Sequence, residues 1–139
     1  MVIGFILGAA LASATSCTKG SEFEPPLCPT HLPPIAALTI ERVGARAYPE
    51  TDGQPPCARF RPSRAQIVKF LTSARTTDPQ SADATLDRSP CYASGTARFA
   101  NGSVGRWRVE QLRAGTLDLP RRETMLLYCK ECRERPFIK

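Results

Sequence analysis

Histidine is nearly absent from this 139-residue chain, in which His31 is the one histidine. A Ser-His-Asp or Cys-His hydrolase needs a histidine base, and His31 lies in a proline-rich stretch. No glycine-rich phosphate loop is present, because Gly95 and Gly102 fit a strand and a turn. The acidic residues follow no spacing that selects a catalytic pair. We therefore expect no enzyme, no catalytic residues, no metal and no cofactor.

Apolar runs long enough to span a membrane are missing as well. The apolar stretch Val2–Ala12 is shorter than the roughly 20 residues of a spanning helix and has the length of a signal-peptide core. Small residues and then Cys17 follow it, which is the order found in lipoprotein signals. We expect residues 1–16 to be a signal peptide, and a lipid on Cys17 to anchor the protein to the outer membrane from the periplasm.

Two features leave other interpretations of this segment open. Ala14 stands where lipoprotein signals usually carry Leu, Val or Ile, and no basic residue precedes the apolar stretch. Ordinary cleavage after Ala12-Ser13-Ala14 would leave Cys17 free to pair in a soluble periplasmic or secreted protein. A third alternative is a buried or vector-derived segment.

Acidic residues are missing from Gly53 to Thr77, in a chain of net charge +6. A basic stretch of this kind indicates nucleic acid, an anionic membrane or an acidic protein as partner. Export argues against nucleic acid, so we expect an acidic protein to bind the basic residues here together with two arginines of a later strand; a merely solvated face is the alternative. The predicted partner-binding residues are Arg59, Arg61, Arg64, Lys69, Arg75, Arg106 and Arg108.

The fold that the sequence predicts is α+β, with one helix on a small antiparallel sheet. Residues 17–34 contain five prolines and are expected to be an extended tether. Residues 35–139 are expected to form one domain. It begins with a strand near residues 35–47 and continues with an S-x-x-Q capping box at Ser63 and a helix over Arg64–Arg75.

The last third of the chain predicts a four-stranded meander. Residues 91–99 alternate in polarity, Asn101-Gly102 is a strong hairpin signal, and further strands are expected over 104–112, 116–119 and 123–129. Asp78-Pro79 is expected to stop the helix, and residues 76–88 to form a loop. The fourth strand is apolar on both faces, which places it inside the sheet.

The six cysteines fit an oxidising compartment. With Cys17 lipidated, the other five leave fifteen ways to form two disulfides and one thiol. The meander brings the ends of its first and fourth strands together, so we expect Cys57 and Cys91 to pair with Cys129 and Cys132, leaving Cys28 unpaired.

The Cys129-x-x-Cys132 motif has other interpretations. A bridge between its own two cysteines closes a very short loop. A redox motif would need a helix directly after it, and a zinc site would need two more ligands.

Fold-forming motifs from Cys57 to Cys132 resemble those of small Gram-negative periplasmic proteins and lipoproteins, some of them similar to immunity proteins that accompany antibacterial toxins. The resemblance rests on residues 57–74, 89–95, 99–107 and 127–132. It implies the architecture and carries over no functional residue. The first hypothesis is therefore an immunity or inhibitor lipoprotein that neutralises an acidic secreted toxin. The alternative is a structural or envelope-maintenance lipoprotein that binds a cell-wall or assembly partner.

Overall fold

The computed structural model describes residues 16–50, 53 and 56–138. Six strands and two helices make up its regular structure, with a 3-10 turn at Cys57–Arg59. The strands are β1 (Ile35–Arg46), β2 (Arg75–Thr77), β3 (Cys91–Phe99), β4 (Val104–Glu110), β5 (Ala114–Asp118) and β6 (Met125–Tyr128), and the helices are α1 (Arg64–Ser73) and α2 (Pro79–Thr85). The strands form one antiparallel sheet in the order β1-β3-β4-β5-β6-β2.

The α+β class is confirmed, but the sheet has six strands rather than four. The predicted meander is present as β3 to β6, with β1 added along β3 and β2 added along β6. The strand β6 does lie inside the sheet, between β5 and β2. Leu127 of this strand is buried, and Met125, Leu126 and Tyr128 are half-buried.

Helix α1 begins at the predicted capping box. The Ser63 hydroxyl accepts a hydrogen bond from the Gln66 amide at 3.1 Å, and the Gln66 side chain accepts one from the Ser63 amide at 2.9 Å. Ile67, Phe70 and Leu71 form the apolar stripe of this helix and are buried. Burial of this stripe holds the helix on the sheet, because a helix of this length is marginal in water without tertiary packing.

The region after α1 differs from the prediction. The helix ends at Ser73, and Arg75–Thr77 pairs with β6 as a strand. Asp78-Pro79 begins α2 rather than ending α1, because Asp78 is an N-cap and proline is accepted in the first turn. Hydrogen bonds from the Ser81 hydroxyl and amide lower the pKa of the Asp78 carboxyl. This cap is therefore present above the ordinary carboxyl pKa and lost as the pH falls through the lowered value.

The two faces of the sheet have different neighbours. We call the face packed against α1 the inner face and the opposite one the outer face. Val109 and Gly115 are cross-strand partners, and a Cβ on Gly115 would lie 2.9 Å from the Phe70 ring, so both residues are on the inner face. Alternation along β4 puts Trp107 on the inner face too, where it is buried and donates from its indole nitrogen to the Thr96 carbonyl at 3.0 Å.

Gly95 lets β1 and Trp107 approach the middle of the sheet closely. A Cβ at this position would lie 1.9 Å from the Thr39 carbonyl oxygen and 2.7 Å from the Trp107 ring. Since the first of these atoms is backbone, no side-chain movement could relieve the overlap. The pairing of β1 with β3 therefore requires glycine here.

The segment expected to be a tether packs on the domain. Thr18 and Leu27 form an antiparallel bridge, and Cys28 exchanges two backbone hydrogen bonds of 2.8 Å with Thr76 of β2. Pro25 and Leu27 are buried. The prediction of an extended spacer at residues 17–34 is thus wrong for residues 17–28, which form a hairpin that pairs with the edge strand β2 through Cys28.

The predicted signal peptide, residues 1–16, lies outside the described residues except for Ser16. In the described part of the chain, no helix is both long and apolar enough to cross a membrane.

We predict that Ser63→Ala lowers the free energy of unfolding by about 1 kcal/mol, because the N-cap hydroxyl is lost. Urea unfolding measures the change. Thr72→Ala, an exposed position on the same helix, is the control and should change stability by less than half as much. Equal effects at the two positions would contradict the role of the cap.

Candidate functional site: the outer face of the sheet

Four arginines of β1, β3 and β4 share the outer face. Cross-strand partners point to the same side of a sheet, and Ser94 opposes both Arg42 on β1 and Arg108 on β4. In the same way Arg106 opposes Thr96, and Arg98 opposes Val104. We call Arg42, Arg98, Arg106 and Arg108 the arginine face.

Tyr92 holds two guanidinium groups of the arginine face. The Arg108 guanidinium lies 3.7 Å from the centre of the Tyr92 ring, which is a cation–π contact. Arg42 donates from Nη1 to the Tyr92 hydroxyl at 3.3 Å. One ring therefore positions both guanidiniums above the same part of the sheet.

No ion pair within the described residues includes an arginine of this face. The ion pairs found there are Lys69–Glu134, Arg88–Glu110 and Lys130–Glu24. Asp118 opposes Arg106 across the strands and offsets one of the four positive charges, while its carboxylate accepts a hydrogen bond from the Thr124 hydroxyl. The arginines are thus left as net positive charge at the surface.

Glu110 does not lie on the exposed surface, although strand alternation predicts it beside Arg106 and Arg108. It is 2% exposed and accepts from Arg88 at 3.0 and 2.6 Å and from the Ser89 amide at 3.2 Å. These contacts raise the pKa of Arg88, chiefly through the hydrogen bonds to Glu110. The pair fixes the chain that leads into β3. No local sequence signal indicates it, because Arg88 lies 22 residues away.

The predicted basic residues fall into two groups. The basic residues near α1 lie on its outward side or near sheet edges, and most have local partners. Arg61 donates to the Ala58 carbonyl, Arg64 to the Leu38 carbonyl and Arg75 to the Ser16 carbonyl. Lys69 forms an ion pair with Glu134, and Arg59 is exposed. Arg106 and Arg108 are on the outer face. Because α1 packs against the inner face, Arg59, Arg61, Arg64 and Lys69 lie on the opposite side of the sheet from the arginine face. Arg75 is on the outer face, since its cross-strand partner Tyr128 alternates with the inward Leu127. It lies on the edge strand β2, which β5 and β6 separate from β4.

The disulfides pair differently from the prediction. The bridges are Cys17–Cys28, Cys57–Cys91 and Cys129–Cys132. The expected links from Cys57 and Cys91 to Cys129 and Cys132 are therefore wrong. Cys91 and Cys129 do lie at strand ends, but β4 and β5 separate β3 from β6. Three strand spacings of about 4.8 Å put these cysteines roughly 14 Å apart, beyond the reach of a disulfide.

Cys17 is not a lipid carrier in this structure. Its sulfur is bonded to Cys28, and a sulfur atom in a disulfide cannot also form a thioether with diacylglycerol. The expectation of a free Cys28 is wrong for the same reason. The pairing instead fits the alternative of ordinary cleavage after Ala12-Ser13-Ala14, which leaves Cys17 free to pair.

The CxxC motif is buried. Cys129 and Cys132 are 0% and 4% exposed, and the motif leads into a turn instead of a helix. The described residues hold no group of three or more His, Cys, Asp or Glu side chains arranged to bind a metal ion. The bridge therefore joins the end of β6 to the core cluster, which contains both sulfurs.

One cavity, of about 430 Å³, lies between residues 29–32 and the end of α1, with His31, Thr72, Ser73 and Arg75 on its walls. It is polar and open, and no hydrogen bond among the described residues joins His31 to a hydroxyl nucleophile. The arginine face, where Tyr92 positions two guanidiniums, is therefore the stronger candidate site.

Comparison with known proteins found no match: no protein-family model, no curated protein and no solved structure resembles the chain to a significant degree.

We predict that non-reducing peptide mapping recovers Cys17 linked to Cys28, Cys57 to Cys91, and Cys129 to Cys132. Replacing Cys57 and Cys91 together by Ala should cost about 4 kcal/mol, against about 2 kcal/mol for Cys129 and Cys132, because the closed loop is longer; the pairs are 34 and 3 residues apart. A diacylglycerol thioether on Cys17, or the reverse order of stabilities, would contradict this assignment.

We predict that Glu110→Gln lowers the free energy of unfolding by about 2 kcal/mol, because Arg88 and the Ser89 amide lose a charged acceptor. Chemical denaturation measures the loss. Glu123→Gln, at an exposed position, removes the same charge and should leave stability within about 0.5 kcal/mol. If Glu110→Gln has the same free energy of unfolding as the parent, the buried Arg88–Glu110 pair does not contribute to stability.

Proposed function

We propose that the protein is an exported binding protein that neutralises an acidic secreted antibacterial toxin, in the manner of an immunity or inhibitor protein. The arginine face carries this proposal. Four arginines on neighbouring strands have no ion-pair partner among the described residues. Charges left unpaired on one rigid surface repel one another, and a partner of opposite charge removes that repulsion while speeding association.

The composition of this surface favours a protein partner. Interfaces are enriched in Arg and Tyr and depleted in Lys, and the outer face of β1, β3 and β4 carries arginines, Tyr92 and no lysine. Val104, opposite Arg98, is 48% exposed and adds an apolar contact.

The disulfides support export to an oxidising compartment, since three bridges within one small domain are typical of secreted proteins. We propose a periplasmic or secreted protein without a lipid on Cys17. The alternative function, binding of a cell-wall or assembly partner in the envelope, uses the same surface. A toxin encoded beside this gene favours the first function, and an envelope-assembly operon favours the second.

We predict that reversing the arginine face abolishes neutralisation. In cells that receive the adjacent gene's product in the periplasm, the parent chain should restore growth, and the variant with Arg42, Arg98, Arg106 and Arg108 replaced by Glu should not. With purified proteins, association should slow by about tenfold or more at low salt, because electrostatic steering is reversed.

The matched control reverses four basic residues on the opposite side, Arg59, Arg61, Arg64 and Lys69. It changes the net charge equally and should retain most of the neutralisation. If the control loses activity and the outer-face variant keeps it, the surface around α1 is the binding site. If cells with the parent chain and cells with either variant grow equally in the presence of an active toxin, the proposed function is contradicted.

A further inference from the structure

We propose that Arg42, Ser94 and Arg108 form a carboxylate-binding site that receives one Asp or Glu side chain of the protein partner, with Tyr92 as the positioning residue. The inference deepens the proposed function and rests on it for the identity of the partner. Its own evidence is the geometry of this group, which is more specific than the charge of the whole face.

The two guanidiniums converge instead of spreading apart. Arg42 and Arg108 are on strands that flank β3, and Ser94 is the cross-strand partner of both. Both contact Tyr92, one over the ring at 3.7 Å and one at the hydroxyl at 3.3 Å. Two like charges brought to one ring repel each other unless an anion lies between them.

Tyr92 makes this arrangement rigid before any partner binds. Tyr92 is 9% exposed, so its packed surroundings restrict the ring. A fixed ring restricts the guanidinium above it and the one at its hydroxyl, which lowers the entropy lost when a ligand orders them. Long arginine side chains that are free in solution do not have this advantage.

The chemistry of the three side chains matches a carboxylate. Each guanidinium offers paired N–H donors that fit the two oxygens of a carboxylate. The Ser94 side chain is partly exposed between the two arginines and offers a hydroxyl donor at the base of the site. A carboxylate above Ser94 would accept from both sides and neutralise the repulsion.

A protein carboxylate is favoured over a lipid headgroup by the surroundings of the site. Membrane-surface sites use clusters of Lys and Arg beside inserting apolar groups. Here the neighbouring side chains are short and polar, Thr39 and Thr96, on a sheet with no lysine on this face. Val104, the exposed apolar side chain of this face, opposes Arg98, four residues along β3 from Ser94, so it does not border the site.

Amide and arginine side-chain NMR shifts of the ¹⁵N-labelled chain test the proposal, with a hexaglutamate peptide as the probe. We expect saturable shifts at Arg42, Ser94 and Arg108. Arg108→Lys keeps the charge but loses the paired donors and the flat contact with Tyr92, so it should weaken peptide binding by about fivefold. Tyr92→Phe removes the hydroxyl that positions Arg42 and should weaken binding less.

Controls separate this site from charge alone. Arg61→Lys, on the other side of the molecule, should bind the peptide as the parent does, and hexaglutamine should produce no shifts. Phosphatidylglycerol vesicles and inorganic phosphate provide the competing ligands. Shifts that centre on α1, unchanged peptide affinity in Arg108→Lys, or tighter binding to the vesicles or phosphate than to the peptide would overturn the proposal.

The peptide-binding experiment does not depend on the toxin. If the peptide binds at Arg42 and Arg108 but no neutralisation is found, the carboxylate site stands and the proposed function fails. If neutralisation depends on the arginine face while the peptide shifts lie elsewhere, the function stands and this site is wrong.

Discussion

The packing of α1 and Trp107 on one face of the sheet determines which side chains the opposite face exposes. Trp107 is 1% exposed, and Gly95 lets β1 lie directly beside it. Since side chains alternate along a strand, fixing Trp107 and Val109 inward fixes Arg106 and Arg108 outward. Truncation of a buried tryptophan costs about 3–5 kcal/mol, so a change of register would be prohibitive. The arginine face is thus held in place by the core beneath it.

The chain segments that connect the strands are held by polar and covalent contacts. Glu110 binds Arg88 and the Ser89 amide ahead of β3, and Cys57–Cys91 ties the same strand to the turn before α1. Cys17–Cys28 closes the N-terminal hairpin against β2. These contacts keep the sheet rigid at its ends. A rigid sheet lets surface arginines be placed before a partner arrives, which is the condition for recognition with little loss of entropy.

Local patterns were enough to predict the elements of the fold whose signals are short in sequence. The capping box at Ser63, the Asn101-Gly102 hairpin and the alternation from Cys91 to Phe99 each depend on neighbouring residues, and all are present.

The strand β2 was missed because three residues carry little pattern of their own. The preferred disulfide pairing was wrong because pairing depends on strand order, although the bridge between Cys129 and Cys132 was one of the alternatives. The Arg88–Glu110 pair was missed because burial of Glu110 is decided 22 residues away. For the proposed arginine face, the charge pattern predicted Arg106 and Arg108 but neither Arg42 nor Arg98. The side on which Arg42 lies is set by irregularities in the β1–β3 register.

Arginine-selective dicarbonyl labelling of the free protein and of its complex tests the central claim most directly. The complex is formed with the product of the adjacent gene, and modified residues are identified by mass spectrometry. The account predicts that Arg42, Arg98, Arg106 and Arg108 react in the free protein and are protected in the complex, while Arg59 and Arg61 react equally in both. Protection of Arg59 and Arg61 with continued reaction of the arginine face would contradict it.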